Sequence, residues 1–193
     1  MTPDAPETAA RAIWLAWCAS WFLAALWRDR AVKRPAVRQQ LVYRGLAVAG
    51  TLLLFGLYRH RLGSELIFWR TPDALAWALV APLVVGLAFT WWARLHLGRL
   101  WSASVTRKAD HRVVDTGPYR IVRHPIYTGI ILATLATAAM RGTALAWLGF
   151  VLLTLGWVIK ARLEESFLRA ELGRERYDDY SKRVPMLVPG TRR

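Results

Sequence analysis

The sequence predicts an all-α, polytopic membrane protein. Five transmembrane helices are expected, the last two forming a tight hairpin, with polar cytoplasmic segments beside that hairpin and an amphipathic helix near the C-terminus. Three observations carry the prediction. Five apolar runs punctuate 193 residues that are 55% hydrophobic and include 11 Trp. Lys and Arg alternate in density between those runs. Only Arg141 and Gly142 separate the last two.

The first run, Ala12–Trp27, follows MTPDAPETAA, which is acidic and has no basic n-region, so it reads as a retained anchor and not a cleaved signal. The single Cys18 inside it cannot form an internal disulfide and reads as a buried, inert thiol. The other runs are Gly45–Tyr58, Ala74–Ala93, Ile126–Met140 and Thr143–Ile159. Only Ala74–Ala93 reaches the roughly 20 residues that comfortably span a hydrocarbon core. The rest are expected to recruit interfacial side chains, and Trp27, Trp69, Trp91, Trp92 and Trp101 suit such belts. The chain therefore reads as a single integral membrane domain, with three N-terminal spans over residues 12–93 and two more within residues 94–193.

Charge distribution supplies an independent reading. Of 27 Lys and Arg, 22 fall between runs one and two, between runs three and four, and after run five, leaving 5 in the alternate segments. The positive-inside bias then puts the N-terminus outside and the C-terminus in the cytoplasm. A net charge of +14 follows from topology and attraction to anionic lipid, with no need for nucleic acid as a partner.

Both segments flanking the hairpin, Gly98–Pro125 entering and Lys160–Pro189 leaving, lie on the basic side and are expected to meet. The entering segment ends in GPYRIVRHPIYTG, Gly117 to Gly129. Gly117-Pro118 is turn chemistry, Pro125 suits the first turn of a helix, and His124 then takes the cap position. A helix N-terminus beside Arg120 and Arg123 can receive a carboxylate or phosphate; the same arginines and His124 can also snorkel to phospholipid headgroups. Tyr119 and Tyr127 are ligand contacts or interfacial anchors. In the leaving segment Lys160 and Glu164 stand four apart on one helix face, with Arg162 and Glu165 beside them. Acids at the end of a membrane helix are costly unless paired or used. Pairing of Glu164 with Lys160, Arg120 or Arg123 would satisfy them, as would a cationic ligand. Phe167, Leu168 and Leu172, then Tyr177 and Tyr180, have the spacing of a lid or interfacial helix.

These motifs, together with LGRLWSAS at 97–104, HRVVDTG at 111–117, EExxL at 164–168 and the ending LGRERYDDYSKRVPMLVP, resemble the isoprenylcysteine carboxyl methyltransferase family of integral membrane enzymes. The resemblance covers about residues 95–189, roughly half the chain, and leaves the first two spans without a motif. It implies S-adenosyl-L-methionine (SAM) as methyl donor and a prenylated or lipid-like acceptor that arrives from the bilayer. Carried onto this chain, it implies cofactor contacts at His111, Arg112, Val113, Val114, Tyr119, His124, Pro125, Tyr127, Glu164 and Glu165. Attack by a carboxylate oxygen on the methyl carbon needs no general base, so positioning and desolvation should carry the rate.

Two departures stand out. Where the family places an arginine four residues before the acid matching Glu164, this chain has Lys160, with Arg162 two residues on; Lys160, Arg162 and Arg123 are the catalytic candidates for holding the acceptor's carboxylate. Lysine is a point charge and not a bidentate fork. The Gly173-to-Tyr177 spacing is also one residue longer than the family's. Other readings stay open: N-methylation of a phospholipid or lipid amine, an NADPH-dependent reductase of sterol-reductase type with a similar Arg-His-Pro-x-Tyr-x-Gly element, and a non-catalytic lipid-binding membrane protein.

Overall fold

A computed structural model of the chain describes residues 5–25, 37–57, 66–98, 114–172 and 174–191. Among the described residues there are six α-helices: α1 (Ala5–Ala25), α2 (Val37–Phe55), α3 (Asp73–Leu97), α4 (Pro125–Arg141), α5 (Ala144–Leu172) and α6 (Arg174–Arg183). A 3-10 turn over Gly117–Arg120 precedes α4. Among the described residues there is no strand, and the one isolated bridge joins Ile67 to Thr143.

The helices outrun the apolar runs that predict them. α5 continues 13 residues past Ile159, because Lys160, Arg162, Glu164 and Glu165 end hydrophobicity without breaking a helix, and it reaches Leu172 before any glycine. By length and hydropathy together, α3 and Ala144–Ala170 of α5 can each cross a membrane, whereas the apolar part of α2, Gln40–Phe55, is shorter. Five helices of spanning length are thus not what composition alone supports. Large apolar side chains stand exposed along the outward faces, among them Val48, Trp77, Val85, Trp92, Val151 and Leu155, which suits contact with lipid.

Packing pairs α3 with α4 and α2 with α5, while α1 lies on α3. Each pair closes on two glycines. A Cβ at Gly50 would sit 2.8 Å from the Gly149 carbonyl oxygen, and one at Gly86 would collide with that of Gly129. Backbones approach this closely only where side chains are absent, the usual device where lipid removes the hydrophobic drive for helix association. Trp14 and Trp17 of α1 donate their indole N–H to Thr137 (3.0 Å) and Thr90 (2.8 Å), so polar bonds support the apolar packing.

The α4–α5 corner is built at Gly142, which takes a left-handed φ of 60° and passes against the Trp69 backbone. Phe68 N–H donates to the Gly142 carbonyl (2.8 Å) and Ala144 N–H to that of Leu66 (2.9 Å), tying residues 66–69 to the corner. At the opposite end, fully buried Arg94 donates to the carbonyls of Gly98 (2.7 Å) and Ala24 (2.9 Å), joining the C-terminal ends of α1 and α3. The segments that precede α4 and follow α5 meet at this second end.

Candidate functional site

His124 occupies the N-cap of α4 and Pro125 its first position. The local sequence dictates this, since Pro125 lacks the N–H that a first turn leaves unused. Around this helix start the polar side chains of α4 and α5 converge.

Two neighbouring carboxylates organise the cluster. Glu165 accepts from Arg123 Nε at 2.7 Å and lies 3.2 Å from His124 Nε2. Arg123 also donates to the carbonyls of Ser181 (2.9 Å) and Val184 (2.5 Å), so its guanidinium is enclosed by α5 and the C-terminal segment. Glu164 accepts the Tyr127 hydroxyl at 2.7 Å, with Lys160 Nζ 4.0 Å away and His124 Nδ1 at 3.6 Å. His124 therefore stands between the two acids. Its ring stacks on Tyr127 (5.3 Å between centroids), which stacks in turn on Trp157 (4.9 Å).

Lys160 is buried, and its ammonium lies within 5.1 Å of the Tyr127 ring, 5.3 Å of Trp157 and 5.8 Å of Tyr43. Three aromatic faces and a carboxylate stabilise the positive charge in a site with little water. Tyr119 is buried beside this group and accepts at its carbonyl from the Tyr180 hydroxyl (2.7 Å). Burial, with the charge of Glu164 adding, raises the Tyr119 phenol well above its ordinary value, so it remains a neutral hydroxyl.

The C-terminal segment lies across the helix start. Arg123 N–H donates to the Pro185 carbonyl (2.9 Å), His124 N–H to that of Met186 (3.1 Å), and the Thr128 hydroxyl to that of Leu187 (2.6 Å). Two backbone donors just before the helix, and one hydroxyl in its first turn, are thus taken by carbonyls of the chain itself. Behind the segment, Tyr177, Tyr180 and Val184 pack with Leu168, so α6 turns its rings inward onto α5.

Of the predicted site residues, the structure brings together Arg123, His124, Pro125, Tyr127, Lys160, Glu164 and Glu165, with Tyr119 adjacent. Arg162 stands apart, exposed on the α5 face opposite Lys160, because two helical residues differ by about 200°. Arg120 is exposed too. Val114 is half-buried at the edge, and His111, Arg112 and Val113 lie outside the described residues, as do Trp27 and Trp101 of the expected aromatic belts. Cys18 is half-buried, short of the full burial expected. The arginine paired to an acid across the hairpin is Arg123, and its partner is Glu165, not Glu164. Sequence reasoning missed Tyr43 and Trp157. Trp157 could have been found, since 157, 160 and 164 recur on one helix face; nothing local marks Tyr43.

A bundle of helices with outward apolar faces and a buried, charged cluster at one end defines an integral membrane protein with a polar site at its membrane margin. The family model described as the isoprenylcysteine carboxyl methyltransferase (ICMT) family matches residues 77–170, which include α4 and most of α5. The chain is 32% identical over 88 residues to protein-S-isoprenylcysteine O-methyltransferase B of Arabidopsis thaliana, covering 44% of this chain and 43% of that protein. It is 46% identical over 72 residues to methanethiol S-methyltransferase 2 of Bradyrhizobium diazoefficiens, covering 37% and 26% respectively. Its fold resembles that of the solved eukaryotic intramembrane Ras methyltransferase ICMT, with a TM-score of 0.59 and 18% identity over 98% of this chain and 69% of the other. Over residues 77–170, just under half of its length, the chain is thus similar to the isoprenylcysteine carboxyl methyltransferase family, and its fold is similar too. It spans less than two thirds of the length of the curated relatives it matches.

Proposed function

We propose that the protein is a SAM-dependent methyltransferase that works at the membrane margin and methylates the anionic group of a lipophilic acceptor. The expected acceptor is the C-terminal carboxylate of a prenylated cysteine. One observation carries the reading: Glu164, Tyr127, His124 and Lys160 converge at the start of the family-matched hairpin. The residues present suit the donor. Rings that already shelter one buried cation can shelter a sulfonium, and Glu164, the more exposed of the two acids at 19% against 6%, can accept an ammonium.

Bound SAM would supply an electrophilic methyl group. Glu164, positioned by the Tyr127 hydroxyl, would hold the donor's ammonium; His124 and Tyr127 would wall it; Val114 would contribute a backbone contact. Lys160 would hold the acceptor's charge and orient the attacking oxygen. An anionic acceptor would enter the transfer already ionised, so no residue would be needed as a base. Arg123 serves by fixing Glu165 and the tail and does not touch the reacting atoms.

A thiolate acceptor is the second reading. Lys160 offers one compact charge to one atom, which matches a sulfur anion as well as a planar carboxylate, and the most identical relative named above is a thiol methyltransferase. We also propose that all five long helices span, with the N-terminus outside and the site cytoplasmic, as the distribution of 22 against 5 basic residues favours. A C-terminal reporter that signals from outside would overturn this orientation.

The deciding measurement is calorimetric titration of detergent-purified protein with S-adenosylhomocysteine, beside NADPH and beside Glu164→Ala. Saturable binding that the variant loses supports the reading. Silence from folded protein sinks it, and a response to NADPH alone points to a reductase.

A further inference from the structure

Helix α2 carries no motif, yet it presents a hydrogen-bonded turn to the charged cluster. Tyr43 is buried, donates its hydroxyl to Gln40 Oε1 at 3.4 Å, and has the Lys160 ammonium 5.8 Å from its ring centre. The Arg44 guanidinium donates to the same Gln40 oxygen at 2.8 Å and lies 6.0 Å from the same ring. Gly156 makes this approach possible, since a Cβ there would sit 3.2 Å from the Tyr43 carbonyl oxygen. One tyrosine ring is thus shared by two cations from different helices. Lys160 is almost wholly buried, while Arg44 is exposed at the edge of the bundle. Glu164 lies near Lys160 but is already bonded to Tyr127.

Two cations drawn to one ring at the end of membrane helices repel each other, and a further anion held beside both would offset that repulsion. We propose that the α2–α5 junction is the acceptor's head-group site. Lys160 and Arg44 hold the carboxylate or thiolate of a lipophilic molecule, and Tyr43 and Trp157 form the wall that limits what can lie beside it. Arg44, at the exposed edge, meets the anion first, and Lys160 receives it beside the donor. Helix α2 is then a specificity element of the site although no sequence motif marks it. This inference rests on the methyltransferase reading.

The test uses full-length protein in lipid nanodiscs with a methyl-labelled donor and two acceptors, N-acetyl-S-farnesylcysteine as the carboxylate and a long-chain alkanethiol, the latter at alkaline pH where thiolate is populated. Arg44→Gln is expected to raise the KM of whichever acceptor is turned over by about tenfold, the weight of one charged hydrogen bond, while S-adenosylhomocysteine affinity stays within about twofold. Arg44→Lys should recover most of the loss. Tyr43→Ala should change the ratio of turnover between the two acceptors. An unchanged KM in Arg44→Gln, the result if Arg44 meets only phospholipid phosphates, overturns the proposal. Equal losses of donor-analogue and acceptor affinity do the same, as does wild-type protein that binds the analogue yet methylates neither anion. Failure of wild type to bind the analogue would overturn the methyltransferase reading itself.

Discussion

Glu164 and Glu165 are neighbours in sequence but not in circumstance. Glu165 has 6% of its side chain exposed and is held by Arg123 and His124, while Arg123 is itself closed in by carbonyls of the C-terminal segment. Glu164 is 19% exposed and meets a phenol, an imidazole edge and a caged ammonium. One acid belongs to a buried ion pair that staples the tail to the hairpin, with only Arg123 Nη2 left without a hydrogen-bond partner there. The other lies where a ligand could take its place among the partners. The difference teaches that charge inside a membrane protein has to be sorted by how completely it is satisfied before it is assigned to function.

The largest effect is expected in the Glu165 half. Removing one partner of a buried pair leaves the other charge uncompensated, which costs about 3–5 kcal/mol. Arg123→Ala or Glu165→Ala should therefore lower the thermal unfolding midpoint in detergent by roughly 10 °C for a chain of this size. The double replacement by Met and Leu should lose less than either single variant. Midpoints equal to wild type would mean that the tail is held by its backbone bonds alone.

Next comes the Glu164 half, where ligand binding should suffer and stability should not. Glu164→Gln is expected to weaken S-adenosylhomocysteine by about 10- to 100-fold, as loss of a charge-assisted hydrogen bond does, with the midpoint nearly unchanged. The opposite pattern, stable binding with lost stability, would exchange the roles assigned to the two acids. Lys160→Met should separate the substrates: acceptor KM rises about tenfold while donor-analogue affinity holds within about twofold. If donor affinity falls in parallel, Lys160 belongs to the cofactor and not to the acceptor.

How much of this was legible in the sequence follows from how local each signal is. His124-Pro125 announced a helix start because the constraint of proline acts within one turn, and Arg141-Gly142 announced a corner for the same reason. Lys160 and Glu164 were legible as a face because four residues make one turn. The apolar run ends at Ile159, but the helix does not end with it, because a charged residue simply projects from a helix that continues to Leu172. Tyr43 and the carbonyls of Ser181, Val184, Pro185 and Met186 were not legible, since backbone acceptors have no residue identity and a contact between α2 and α5 spans more than a hundred positions. The partner of Arg123 was missed by one residue because helical rotation decides which acid faces it, and a neighbour is rotated by about 100°.

The smallest effect sharpens the comparison most. Arg169 Nε donates to Asp178 Oδ1 at 2.8 Å and ties α6 to α5, but the two side chains are 37% and 42% exposed. Exposed pairs contribute about 0–1 kcal/mol and fade with salt. Arg169→Gln should therefore shift the unfolding midpoint by no more than about 3 °C at low ionic strength and by less in high salt. Because α6 precedes the segment that closes over Arg123, that small shift should vanish in a background already lacking Glu165, while the Glu164-dependent affinity for the donor analogue stays the same in both. Additive losses in the double variant would show that α6 is anchored independently of the Arg123 pair. A drop in analogue affinity would show that the tail reaches the ligand half of the site and that the two acids act as one unit.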